Sequence, residues 1–215
     1  MHYLIYLYVI IFNIILYWIF FYNPPNDASY IIQGDYIYQK DSNSLGEYSR
    51  FNHKTKECVN WISKTICNEI LFTCKKLNPK ILVLGVALGD MIIHMSNKRK
   101  DFIITGVDIT DLNFNLVKSY SSKKTVLIKE DANIYIKETN NNYDYIICDL
   151  FDSINMPEFI FTYNFLNKIN NILLPNGKFF LNSIDNKKID IFEQSFNNKK
   201  INMKTNNVNI LYVIE

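Results

Sequence analysis

Apolar residues along this chain follow two spacings that alternate with each other. Lys80-Ile-Leu-Val-Leu84 is a short continuous apolar run bounded by Pro79 and Gly85, the pattern of a central strand covered on both faces. Further strands are predicted over 102–107, 125–129, 143–149 and 178–184, and segments of helical spacing follow or separate them over 111–120, 131–139, 157–174 and 189–196. Upstream, Val59, Ile62, Ile66, Ile70, Leu71 and Cys74 share one face of a helix predicted over 54–77, which Asn78-Pro79 closes. Residues 30–39 read as a strand or short hairpin. The chain ends in two short strands, 200–205 and 208–214, about an Asn206-Asn207 turn suited to a type I′ hairpin. Alternating strands and helices imply a doubly wound, mostly parallel α/β sheet of seven strands with right-handed crossovers, and the hairpin adds an antiparallel strand.

The opening segment breaks this pattern. Residues 3–22 are aliphatic and aromatic without one charged side chain, and as a helix of about 1.5 Å per residue they match the ~30 Å hydrocarbon core of a bilayer. Tyr17, Trp18, Phe20, Phe21 and Tyr22 resemble an interfacial belt, and Pro24-Pro25 ends the run. A basic leader and a small-residue cleavage site are missing, so an uncleaved transmembrane anchor is expected rather than a signal peptide. None of the asparagines opens an N-x-[ST] sequon, which favours a cytosolic side for the rest of the chain. The expected organisation is therefore a transmembrane anchor over 1–23, a short polar and β connecting segment over 24–53, and an α/β domain over 54–215.

A net charge of +2 on 215 residues supplies no field for nucleic acid. Cys58, Cys67, Cys74 and Cys148 form no C-x-x-C pair, so they are read as packing residues, and no metal site is expected. His94, in the helix behind the Gly85 turn, is read as a packed or surface histidine.

The candidate chemistry gathers at the predicted carboxyl ends of the strands, where ligands of such sheets bind. Gly85, Ala87 and Gly89 form a tight turn that lets the backbone approach a ligand, and the following helix directs its free N–H groups there. Asp108 ends the second strand, placed to accept ribose hydroxyls. Asp131 opens the helix after the third strand, as an N-cap, as a contact to an adenine amino group, or as both. Asp149 ends the fourth strand and Asp152 follows in the loop. This order of features is that of a class I S-adenosylmethionine-dependent fold.

Tyr143-Asp-Tyr-Ile-Ile-Cys-Asp-Leu-Phe-Asp152, Met156-Pro157, Phe161-Thr-Tyr-Asn-Phe-Leu166 and Leu173-Leu-Pro-Asn-Gly177 resemble the spermidine synthase (polyamine aminopropyltransferase) family over about residues 80–215. The resemblance implies an S-adenosyl donor, S-adenosylmethionine or its decarboxylated form, held by Gly85, Gly89 and Asp108, with Asp131 on the adenine side. It also implies that Asp149 aligns and deprotonates an attacking amine, and that Asp152 binds a cationic polyamine. The partner is then a small-molecule amine. Oligomerisation does not carry over, because family members associate partly through a front-end region that this chain abbreviates.

Three positions depart from the family pattern. Leu88 stands where the family's turn has an aspartate that grips the donor's amine. Arg50-Phe51-Asn52, followed by His53, stands near the family's Tyr-His-Glu-like element. Little room is left between Pro25 and Lys54 for the family's N-terminal β-domain. Two other readings therefore accompany aminopropyl transfer: an S-adenosylmethionine-dependent methyltransferase, and a catalytically degenerate binding or scaffold module at a membrane.

Overall fold

The computed structural model describes residues 30–39, 49–151, 155–184, 189–196, 199–206 and 209–215. Its centre is a seven-stranded sheet in the order β10-β11-β9-β8-β5-β6-β7. The strands are β5 (Lys80–Leu84), β6 (Ile103–Asp108), β7 (Thr125–Lys129), β8 (Tyr143–Cys148), β9 (Leu173–Ser183), β10 (Ile201–Thr205) and β11 (Ile210–Ile214). β5 pairs in parallel with both β6 and β8, whereas β11 runs antiparallel to β9 and β10.

Alternation along β5 divides the core in two. Ile81 and Val83 pack on one face with α1 (Trp61–Thr73), α2 (Asp90–Lys98) and α3 (Phe114–Tyr120). Leu82 and Leu84 pack on the other with α4 (Ala132–Glu138), α5 (Tyr163–Ile172) and α6 (Ile189–Ser195). A central strand needs apolar residues at every position because both faces are buried, which is why the Lys80–Leu84 run is continuous.

The chain runs outward from β5 through β6 to β7, then returns to place β8 on the other side of β5. The reversal opens a crevice at the carboxyl ends of β5 and β8, the switch point where doubly wound sheets hold ligands.

Four expectations are corrected. The helix expected over 54–77 is shorter: Asn52 Oδ1 accepts the Lys54 and Thr55 N–H groups and turns the chain, and Lys56 has a positive φ of 61°. The strand β4 (Glu57–Cys58) follows, and Asn60 caps α1 by accepting the Ser63 N–H at 2.7 Å. Second, the hairpin expected over 30–39 is present but is joined by two further strands. β1 (Tyr30–Gln33), β2 (Tyr36–Gln39), β3 (Arg50–Asn52) and β4 form an antiparallel sheet, and Ile37, Phe51 and Cys58 enter the core beside α1. Third, the last strand starts at Ile210, and a backbone bond from Asn206 N–H to the Asn209 carbonyl joins the two arms of the hairpin; the Asn207 half of the expected turn lies outside the described residues. Fourth, the localisation in a membrane is overturned: among the described residues no helix is long and apolar enough to cross one. The expected anchor over residues 3–22 lies outside the described residues.

The Leu173-Leu-Pro-Asn-Gly177 segment belongs to β9 rather than to a helix end. A register shift between β8 and β9 accommodates it, and Asn176 takes a φ of 63°.

Candidate active site

β5 leads into the turn Gly85–Gly89, and two side chains brace that turn. Asp108 Oδ2 accepts the N–H groups of Val86 at 2.8 Å and Ala87 at 3.1 Å, while its Oδ1 accepts the Thr110 N–H at 2.9 Å. At the N-cap of α3, the buried Asn113 donates to the Ala87 carbonyl at 2.8 Å. Ala87 itself is exposed at φ 48°, so the turn presents backbone, not a bulky side chain, to solvent. No side-chain hydrogen bond caps α2 at Gly89, and the buried Asp90 occupies its first turn.

The glycines have structural reasons of their own. A Cβ added at Gly85 would meet the Asp149 carbonyl oxygen at 2.2 Å, because the ends of β5 and β8 approach face to face. At Gly89, with φ 77°, a Cβ would meet Val117 at 2.3 Å, so this glycine lets α2 pack onto α3.

Asp149 follows β8, with its backbone N–H bonded to the Leu84 carbonyl. Its carboxylate accepts a bond from Asn182 Nδ2 at 2.7 Å, and Asn182 Oδ1 accepts one from Asn209 Nδ2 at 2.9 Å. This relay runs from β8 through β9 to the terminal hairpin. Burial pushes the Asp149 carboxyl above the usual carboxylate range, and the Asn182 bond partly opposes that rise. The result is a shielded carboxylate of raised basicity.

Asp131 caps α4, its Oδ1 accepting the N–H groups of Asn133 at 2.7 Å and Ile134 at 3.2 Å. The adjacent Glu130 N–H bonds the Asp108 carbonyl, which ties this cap to the end of β6. Gly85, Ala87, Gly89, Asp108 and Asp149 thus gather around one crevice, and Asp131 stands one strand further along its rim. Asp152 lies outside the described residues.

Leu88 does not face the crevice. It is fully buried in the core formed with α1–α3. The neighbouring acid, Asp90, is also buried, and sequence reasoning passed over it. Asn113 and Asn182 were missed as well. Each was masked by the abundance of asparagine, although Asn182 had one usable sign: a buried polar residue directly after the apolar run Phe179-Phe180-Leu181 of β9. His94 is buried, and its Nδ1 accepts the Cys58 N–H at 3.2 Å, a packing role that joins α2 to β4.

Known proteins share both the motif half of the chain and its fold. Residues 109–214 match the model of the spermine/spermidine synthase domain. This half of the chain resembles that domain. The matched stretch holds Asp131, Asp149 and Asp152; the glycine turn and Asp108 precede it. A polyamine aminopropyltransferase from Sulfolobus acidocaldarius is 26% identical over 136 residues, which cover 54% of this chain and 45% of that relative. The chain thus aligns with less than half the length of that enzyme. Among solved structures, a probable spermidine synthase from Corynebacterium glutamicum superposes with a TM-score of 0.69 at 12% identity, covering 87% of this chain and 80% of that one. Human methyltransferase-like protein 13, in complex with SAH, gives 0.58 at 19% identity and covers 76% and 81% of the two chains. These likenesses establish the class I methyltransferase-type fold.

Proposed function

We propose that this chain is a transferase that uses an S-adenosyl donor and carries an aminopropyl group to a polyamine-type amine, with residues 54–215 as the ligand-binding unit and residues 24–53 as its connecting segment. The observation that carries this reading is Asp149: a desolvated carboxylate at the switch point, oriented by Asn182 and next to the glycine turn.

The turn and Asp108 form the adenosyl side of the crevice, with the exposed Ala87 presented to ligand. Asp131 stands on the adenine side. The donor, when bound, supplies a carbon activated by an adjacent sulfonium. An attacking amine must first lose a proton, because an ammonium has no lone pair, and Asp149 accepts that proton. The nitrogen then forms its bond to the carbon as the carbon–sulfur bond breaks, and the electron pair of that bond returns to sulfur. Asn182 and the Gly85 contact hold Asp149 in place, so positioning provides much of the catalysis. Asp152, three residues on, is assigned to the distant ammonium of the acceptor.

Methyl transfer on the same fold is the second reading, favoured by the burial of Leu88: the turn offers no acid at the position where the family grips a donor amine. Melting of the full chain with each ligand separates the two, since a ligand of the native state raises the melting temperature. A larger shift with decarboxylated S-adenosylmethionine than with S-adenosylmethionine supports aminopropyl transfer. A shift only with S-adenosylmethionine supports methyl transfer, and no shift with either defeats both.

A further inference from the structure

Asp90 is the first residue of α2, directly behind Gly89, and only 4% of its surface is exposed. Its Oδ1 accepts a bond from Ser49 Oγ at 3.2 Å, and Ser63 of α1 also faces the carboxyl. Its Oδ2 is fully buried and has no hydrogen-bond partner among the described residues. A carboxylate oxygen hidden from water without a donor is costly, and a native fold keeps such a group where something else compensates. Favourable interaction with the helix N-terminus does not explain it, because an exposed acid in the first turn gains that without burial.

Its position gives the explanation. Leu84 at the end of β5 pairs with Cys148 at the end of β8, so the turn leading to Asp90 runs beside Asp149. Besides burial, negative charge at Cys58 and, more weakly, at Asp149 disfavours a bare carboxylate at Asp90. Two acids at one end of two adjacent strands create a site for a positive group. Among the described residues no Lys or Arg bonds either carboxylate, and the ammonium group of a ligand has the charge that this pair lacks.

We propose that Asp90 binds the alkylammonium group of a substrate, so that this chain carries its amine-binding acid two residues after Leu88, behind the turn rather than on it. The proposal rests on the transferase reading above and identifies a specificity residue for it. The ammonium belongs either to the amine arm of the donor or to the acceptor.

Titration calorimetry of the full chain at pH 7.5, wild type against Asp90→Asn, tests this with decarboxylated S-adenosylmethionine and with methylthioadenosine, which lacks the amine arm. Transfer assays of the same proteins give the KM for putrescine. Asp90→Asn keeps the size of the side chain; Asp90→Ser replaces it if the first variant does not fold. For the donor arm, the affinity for decarboxylated S-adenosylmethionine falls at least tenfold while that for methylthioadenosine stays within twofold. For the acceptor arm, both affinities hold and the putrescine KM rises at least tenfold. Equal losses for both adenosyl ligands, or no change in any of the three values, overturn the proposal alone. If the wild type binds neither adenosyl ligand, the transferase reading fails and the proposal falls with it.

Discussion

Asn182 donates to the Asp149 carboxylate at 2.7 Å and receives a bond from Asn209 in turn. The donation favours the ionised carboxylate, the form that accepts a proton. In Asn182→Leu that support is lost, so the acidic limb of the pH–rate profile moves to higher pH. Hydrogen bonds to charged groups are worth about 1.5–3 kcal/mol, so turnover at neutral pH falls roughly tenfold to a hundredfold. Rate profiles of the two proteins measured over the same pH range check both effects.

Gly85 and Gly34 both have positive φ, but their surroundings differ. A Cβ at Gly85 meets the Asp149 carbonyl oxygen at 2.2 Å, whereas one at Gly34 has nothing within 4 Å. Gly34→Ala therefore costs only the backbone preference, about 1–2 kcal/mol. Gly85→Ala adds a backbone clash of about 1–3 kcal/mol and displaces Asp149. Thermal melts are expected to rank the two variants in that order, with activity lost only in Gly85→Ala.

Asp108 spends its Oδ2 on the Val86 and Ala87 N–H groups. It therefore shapes the turn before any ligand arrives. Asp108→Ala is expected to destabilise the free protein by about 1–3 kcal/mol, by leaving these donors unpaired, as well as to weaken adenosyl binding. Amide exchange at Val86 and Ala87 reports the loss directly, since their protection falls without ligand.

The alternation of strands and helices was legible because each element of the sheet carries its period within a few residues, and the continuous apolar run of β5 can only be a strand buried on both faces. Of the front sheet only the hairpin over 30–39 was legible. β3 and β4 span three and two residues and are held by a turn at Asn52 and by the bond from Cys58 to His94, partners 36 residues apart. The site was legible where a residue type sits at a strand end, as with Asp108 and Asp149. It was hidden where the decisive property is burial. Leu88 looked like a lost acid in the crevice yet packs in the core, and Asp90 looked like a helix-start residue yet is enclosed.

Asp90 also sets the pH response of the fold. Burial, with the nearby Cys58 and Asp149 charges, pushes its carboxyl up to about 7 from the ordinary 3.8. The native state therefore holds a proton that the unfolded chain has released, and stability falls as pH rises from about 4 to about 7. Asp149, shifted in the same direction, adds to the slope. Cys58, lowered to about 6 chiefly by its hydrogen bond with Cys67, opposes this slope above about pH 6, while burial holds the Cys67 thiol protonated throughout the window. Denaturant melts at pH 4.5 and 7.5 should differ by a few kcal/mol in the wild type, and Asp90→Asn should shrink the difference.

The most direct test of the account is aminopropyl transfer by the full chain, wild type against Asp149→Asn, followed as methylthioadenosine formed from decarboxylated S-adenosylmethionine and putrescine. The account predicts turnover by the wild type and a loss of at least a hundredfold in the variant, with donor affinity held within a few-fold, because general-base catalysis contributes about 10²–10⁴. Full turnover by Asp149→Asn would contradict it.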